Sequence, residues 1–363
     1  MSEDFVTRLQ LQLREAALRD ERRTPVARRV VRARRGLPGP TPVATALAVA
    51  LLALAVALGA GALRGEPQPA QPRIAADIPV ATGLSSLASG FGSAWTADPN
   101  HGDVLRLDPS THGVVARIPA GGEARVSTGA GAVWALAGDL LYAGDEGPVW
   151  LLRIDPATNR VVARIPMRTP AGRGFGPLDV HAARGVVWVT GAAGALRIDP
   201  RRNAPDRFVA LGRGAARGAV ADGDRVWTLA VDGRLRALDA RTGRAVGAVG
   251  VHAPADAHLF GGGPNTLTLV GHGWIERLDS GSGRRLWKAD LGWDIRFWIA
   301  DRDVIWAHLS HDSAGRDELA RLDADSGRRL GRVSLPEPGV AGMAKVGRDV
   351  WVATPGGRVV VVR

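Results

Sequence analysis

Cysteine is absent from these 363 residues, which excludes disulfides, thiolate metal sites and a cysteine nucleophile. Aromatics are scarce at 5%, with one tyrosine and six phenylalanines, yet eleven tryptophans are present. Lysine is nearly missing: Lys288 and Lys345 stand alone among 47 basic residues, the signature of a GC-rich coding bias. No Lys/Arg run with interleaved aromatics occurs after residue 64, so the net charge of +11 does not point to nucleic acid. No Walker sequence and no GxSxG is found, and "GRGFG" at 172–176 lacks the strand and helix of a dinucleotide fingerprint.

One long apolar run is present. Residues 43–63, "VATALAVALLALAVALGAGAL", carry no charge and match the length of about 20 residues that a helix needs to cross a bilayer. Residues 1–42 before it hold ten arginines against five acids, including Arg28, Arg29, Arg32, Arg34 and Arg35. The positive-inside rule therefore puts the N-terminus in the cytoplasm and everything after residue 64 outside, as a single-pass protein of a bacterial cytoplasmic membrane. A cleaved signal peptide ending at "AGA" is the rival, but the basic segment and the apolar run are both too long for the usual form. Residues 2–23 place Phe5, Leu9, Leu13 and Ala17 four apart, which predicts an amphipathic helix, either lying on the inner membrane surface or docking a cytoplasmic partner. Residues 64–72, containing "EPQPAQP", read as an extended linker.

From residue 73 onward the chain repeats. "VVARIP" occurs at 114–119 and again at 161–166. A short apolar unit ending in Trp recurs at Trp95, Trp134, Trp188, Trp227, Trp306 and Trp351, and "NTLTLV" at 265–270 is a seventh unit in which leucine takes the place of tryptophan. A second run follows each, closing in a turn: "VLRLDPSTHG", "LLRIDPATNR", "ALRIDPRRNA", "LRALDARTGR", "IERLDSGSGR", "LARLDADSGR". A period of about 40 residues with Gly-, Asp- and Asn-rich turns indicates propeller blades of four antiparallel strands, a to d from inside outward. The fold class is therefore all-β, a seven-bladed β-propeller over residues 73–363 preceded by one transmembrane helix and a short cytoplasmic helix. The last unit stops after its third strand, while "RIAADIPVATG" at 73–83 matches the outer strands and has no blade before it. That strand is expected to close the ring as the outer strand of the last blade, leaving no unpaired edge.

These repeats resemble two groups. "VLRLDPSTHGVVARIPAGG" and "LLRIDPATNRVVARIPM" are similar to YVTN-type and streptogramin (virginiamycin B) lyase-like propellers, whereas "GRLRALDARTGRAVG" and "ERLDSGSGRRLWKADLG" resemble pyrroloquinoline-quinone (PQQ) type repeats. The resemblance implies the fold; it carries no catalytic residue over, because no local motif anchors one.

Strand parity puts the d-to-a and b-to-c loops on one face and the short a-to-b and c-to-d turns on the other. The first face receives the irregular segments 137–149, 167–178, 251–258 and 309–317, and is the expected binding face. The inner strands bring Arg125, Asp179, His181, Arg217, His258, Arg296 and Lys345 towards it, a set suited to an anionic small molecule or a protein partner; inter-blade ion pairing is the structural alternative. "WDIRFW" at 293–298 is either an aromatic platform or inter-blade packing. His308, His311 and Asp312 lack the glutamate of a zinc helix, and "DADSG" at 323–327 reads as an Asx-type turn, not a calcium loop. No catalytic residue, metal ligand or cofactor is assigned. The expected function is a non-catalytic ligand- or protein-binding module, the alternative being a metal-dependent lyase acting on a small ligand.

Overall fold

In the computed structural model, described residues run from Ala70 to Arg363, except 141–148, 170, 173, 175, 184, 192, 211–218, 223–224, 231, 240–241, 243, 262–264, 302 and 311–316. The expected cytoplasmic helix, membrane span and most of the linker lie outside them; among the described residues no helix is long and apolar enough to cross a membrane. Seven four-stranded antiparallel sheets form the seven blades of a β-propeller. Blades 1 to 6 span residues 87–119, 123–166, 177–210, 219–252, 258–290 and 294–334, each with strands a to d in chain order.

Blade 7 takes three strands from residues 342–362 and its outer strand from Ile74–Pro79, which pairs with Arg358–Val362 in the register Ile74↔Val362 and Ile78↔Val359. Arg73 and Arg363 exchange both backbone hydrogen bonds at 3.0 Å, and Asp77 accepts from Arg358 Nε at 2.8 Å. Ring closure by the N-terminal strand is thus as the repeat implied.

Burial follows position in the blade. Strand b faces a neighbouring blade on both sides, so Ser93–Asp98 is buried throughout, whereas the outer strand Val114–Pro119 is largely exposed. The core is accordingly divided among the blade interfaces: among the described residues seven apolar clusters occur, one between each pair of adjacent blades. Between blades 2 and 3, for example, Trp134 and Leu136 meet Val187, Val189 and Leu196.

A second device joins the blades. In each c-to-d turn an aspartate folds its carboxylate back on the next residues; Asp108 Oδ1 accepts from the Ser110 and Thr111 N–H groups, and Asp323 Oδ1 from Ser326 N–H and Oγ–H. Four residues after the aspartate the chain is left-handed, at His112, Asn159, Asn203, Gly283 and Gly327. Onto the turns of blades 2, 3 and 6 the preceding blade places an arginine from strand c. Arg106 donates to Pro156 O and Asn159 Oδ1 at 2.7 and 2.9 Å, and Arg153 to Pro200 O and Asn203 Oδ1 at 2.6 and 2.9 Å. Each guanidinium also lies over the Trp of its own blade, 5.1 Å from the Trp95 ring and 5.6 Å from that of Trp134. Blade 7 has no c-to-d turn, because its outer strand comes from the other end of the propeller sequence; Arg321 of blade 6 instead reaches Ala70 O, just ahead of the closing strand.

Blade 5 departs from the pattern. Pairing sets Thr268, not a leucine, opposite Arg277, as Trp134 stands opposite Arg153, so the residue replacing tryptophan is Thr268. The indole reappears two strands further out: Trp287 and Arg277 both donate to Ala324 O in the next turn, at 2.8 and 3.0 Å. The Leu267 and Leu269 side chains lie on the opposite sheet face, against blade 4.

Candidate functional site

The face built by d-to-a and b-to-c loops holds a cleft of about 260 Å³ between blades 5 and 6. Its construction begins at a tight b-to-c turn, Gly271-His272-Gly273. A Cβ on Gly271 would lie 2.4 Å from both Asp256 Oδ2 and the Trp274 ring, so glycine is required for the turn to close on the loop of residues 253–257. Asp256 in that loop accepts the His272 N–H at 2.8 Å and the Trp274 Nε1–H at 3.1 Å. Burial works to raise the Asp256 carboxyl, but these donors hold it below its ordinary value.

Blade 6 supplies the other wall from the start of strand a, Asp294–Ala300. Asp294 Oδ1 lies 2.6 Å from His272 Nδ1, and its Oδ2 is 3.5 Å from Arg296. The hydrogen bond to Asp294, followed by its negative charge, raises the His272 pKa above 6.5. Arg296 is the extra residue of a β-bulge between Ile295↔Leu309 and Phe297↔His308; such a bulge re-aims a side chain towards a site. The floor is apolar, with Val270, Ile295 and a half-exposed Phe260 whose ring stands edge-on against Trp298 at 6.1 Å.

Of the seven residues expected at the binding face, the structure brings His258 and Arg296 together in this cleft. Arg125 donates to Ser85 O at 3.0 Å and pairs with Glu123 at 3.4 Å, bridging blade 2 to the loop entering blade 1. Asp179 and His181 face each other at 3.6 Å within strand a of blade 3. Lys345 pairs with Asp301, in the a-to-b turn of blade 6, and so stands at the short-turn end of its strand. Arg217 lies outside the described residues.

"WDIRFW" divides between the two readings. Phe297 and Trp298 pack between blades, and Trp298 thereby supports the Phe260 ring that lines the cleft. His308 is buried, with Nε2 2.7 Å from Asp317 Oδ2, which also accepts the Gly339 N–H at 2.7 Å; the pair ties two loops together. His311 and Asp312 lie outside the described residues, and among those described no group of three or more His, Asp or Glu is arranged to hold a metal ion. The residues that sequence reasoning missed are Asp256, Phe260, His272 and Asp294. The one local signal was "GHG" at 271–273, a turn too tight for any residue but glycine at its first position.

No protein-family model matches the chain, and no curated protein matches it. Among solved structures it is similar to the crystal structure of the computationally designed Ika8 protein, with a TM-score of 0.56 and 12% identity over 78% of this chain and 96% of that one. At that identity the likeness shows the fold alone.

Proposed function

We propose that this chain is a non-catalytic binding module held outside the bacterial cytoplasmic membrane by residues 43–63, and that the cleft between blades 5 and 6 is where it takes its ligand. The observation that supports this reading is the cleft itself: an apolar floor ringed by a few oriented polar groups, on the loop-bearing face of a rigid scaffold, is the usual form of a small-molecule site. The ligand is a small molecule or a side chain presented by a protein partner. Residues 2–23 then serve as a docking helix on the inner side.

Two measurements test it. A phosphatase reporter fused after Arg363 is expected to be active, as it is only outside the cytoplasm; an inactive but expressed reporter would sink the location. Full-length protein in detergent is screened against single-ring compounds by saturation-transfer NMR, with Phe260→Ala as the comparison. Signals that vanish in Phe260→Ala place binding in the cleft, and signals unchanged by it reject the cleft as the site.

A further inference from the structure

Resting on that reading, we infer that the cleft selects an acid, a carboxylate or similar anion carried on a small apolar or aromatic body, and that it does so through His272 in its doubly protonated form. The argument starts from which polar groups are already used. Asp256 Oδ2 is occupied by two N–H donors, and Asp294 is shared between His272 on one oxygen and Arg296 on the other. Both carboxylates therefore position donors.

His272 is fixed by the same geometry. A carboxylate only accepts, so the 2.6 Å contact puts a proton on Nδ1 and leaves Nε2 to carry the change of state. Neutral, Nε2 accepts; protonated, it donates, and with Arg296 and His258 on the same cleft the rim becomes rich in N–H groups. Such a rim matches an oxygen-rich anion, while Phe260, Val270 and Ile295 match an apolar body beneath it. The groups facing His272 from each neighbouring element are Asp256 from the loop before blade 5, His258 from its strand a, and Asp294 and Arg296 from blade 6. The hydrogen bond and charge of Asp294 raise the pKa of His272, which favours the donating form.

The sign follows. Anion binding favours the imidazolium, so affinity rises as pH falls through the His272 midpoint and weakens up to about tenfold per pH unit above it. The test uses full-length protein in detergent and three probes of one shape: phenylacetate, phenylacetamide and 2-phenylethylamine, titrated at pH 6, 7 and 8 on wild type, His272→Gln, His258→Gln and Phe260→Ala, with near-UV circular dichroism as the check on folding. Phenylacetate is expected to bind tightest, to lose at least fivefold between pH 6 and 8, and to lose that dependence in His272→Gln while keeping it in His258→Gln. If the amide or the amine binds tighter, and Phe260→Ala abolishes it, the cleft is a binding site and the inferred ligand class is wrong. If phenylacetate binds but ignores both pH and His272→Gln, the role of His272 is overturned. If none of the three binds in the millimolar range, the ligand class and the cleft reading both fall.

Discussion

Replacing Arg153 by methionine keeps the apolar stem and removes only the guanidinium, so it isolates the bridge from blade 2 to blade 3. That guanidinium gives its NH1 to Pro200 O and Asn203 Oδ1 and lies 5.6 Å from the Trp134 ring. Hydrogen bonds from a charged donor are worth about 1.5–3 kcal/mol and a partly exposed cation–π contact about 0.5–1 kcal/mol, so the expected loss is about 2–4 kcal/mol. Blade 3 supplies an internal control. Its equivalent, Arg197, is diverted to Asp206 in the same blade, a bidentate pair with both side chains about 30% exposed that, among the described residues, bridges to no other blade and lies over no tryptophan. Denaturant melts followed by tryptophan fluorescence should therefore separate Arg153→Met from Arg197→Met by more than about 1 kcal/mol at unchanged slope. Asn203 has a φ of 50°, so Asn203→Gly removes the acceptor without forcing a side chain into the left-handed region. Combined with Arg153→Met it should be non-additive by about 1 kcal/mol. Equal costs for the two arginines, or an Arg153→Met loss under about 0.5 kcal/mol, would refute the bridge.

Deleting residues 73–80 removes the outer strand of blade 7 and exposes the edge of Arg358–Val362; the melt should broaden and shift to lower temperature, and an unchanged cooperative melt would show that the ring closes without it. His272 should titrate in an NMR pH series with a midpoint above 6.5, returning towards 6.5 in Asp294→Asn. Because this pKa is raised on folding, its stabilising contribution is complete below 6.5 and fades as pH climbs through the folded midpoint; a wild-type midpoint at or below 6.5 would contradict the contact. Gly271→Ala should abolish binding of any compound lost in Phe260→Ala, since the added methyl drives Asp256 and Trp274 apart; retained binding would mean the turn does not shape the cleft.

What the sequence made legible is whatever repeats. Each blade restates its strands and turns, so period, blade count and closing strand could be taken from residues 73–363 without coordinates. Register inside a blade is less visible. "NTLTLV" puts Leu on one sheet face and Thr on the other, and only the pairing of Thr268 with Arg277 shows which residue replaces the tryptophan. The bridging Arg106 and Arg153 stood in view two residues before their turn aspartates, but their partners are 47–53 residues away on another blade, beyond the reach of local pattern.

The site was least legible for a related reason. Lys345 precedes its tryptophan by six residues, whereas Arg125 and Arg296 precede theirs by nine and ten, so the first lies near the far end of its strand and the others near the loop face. Cations collected from inner strands are therefore not a ring at one height. What converges instead is the material between strands: Asp256 enters before blade 5, His272 turns within it, and Asp294 begins blade 6. None of the three belongs to the repeating pattern, and that is what frees them for a specific task. A residue repeated from blade to blade serves the ring, as Arg106 and Arg153 do, whereas His272 occurs in a single blade, at a turn that only glycine permits.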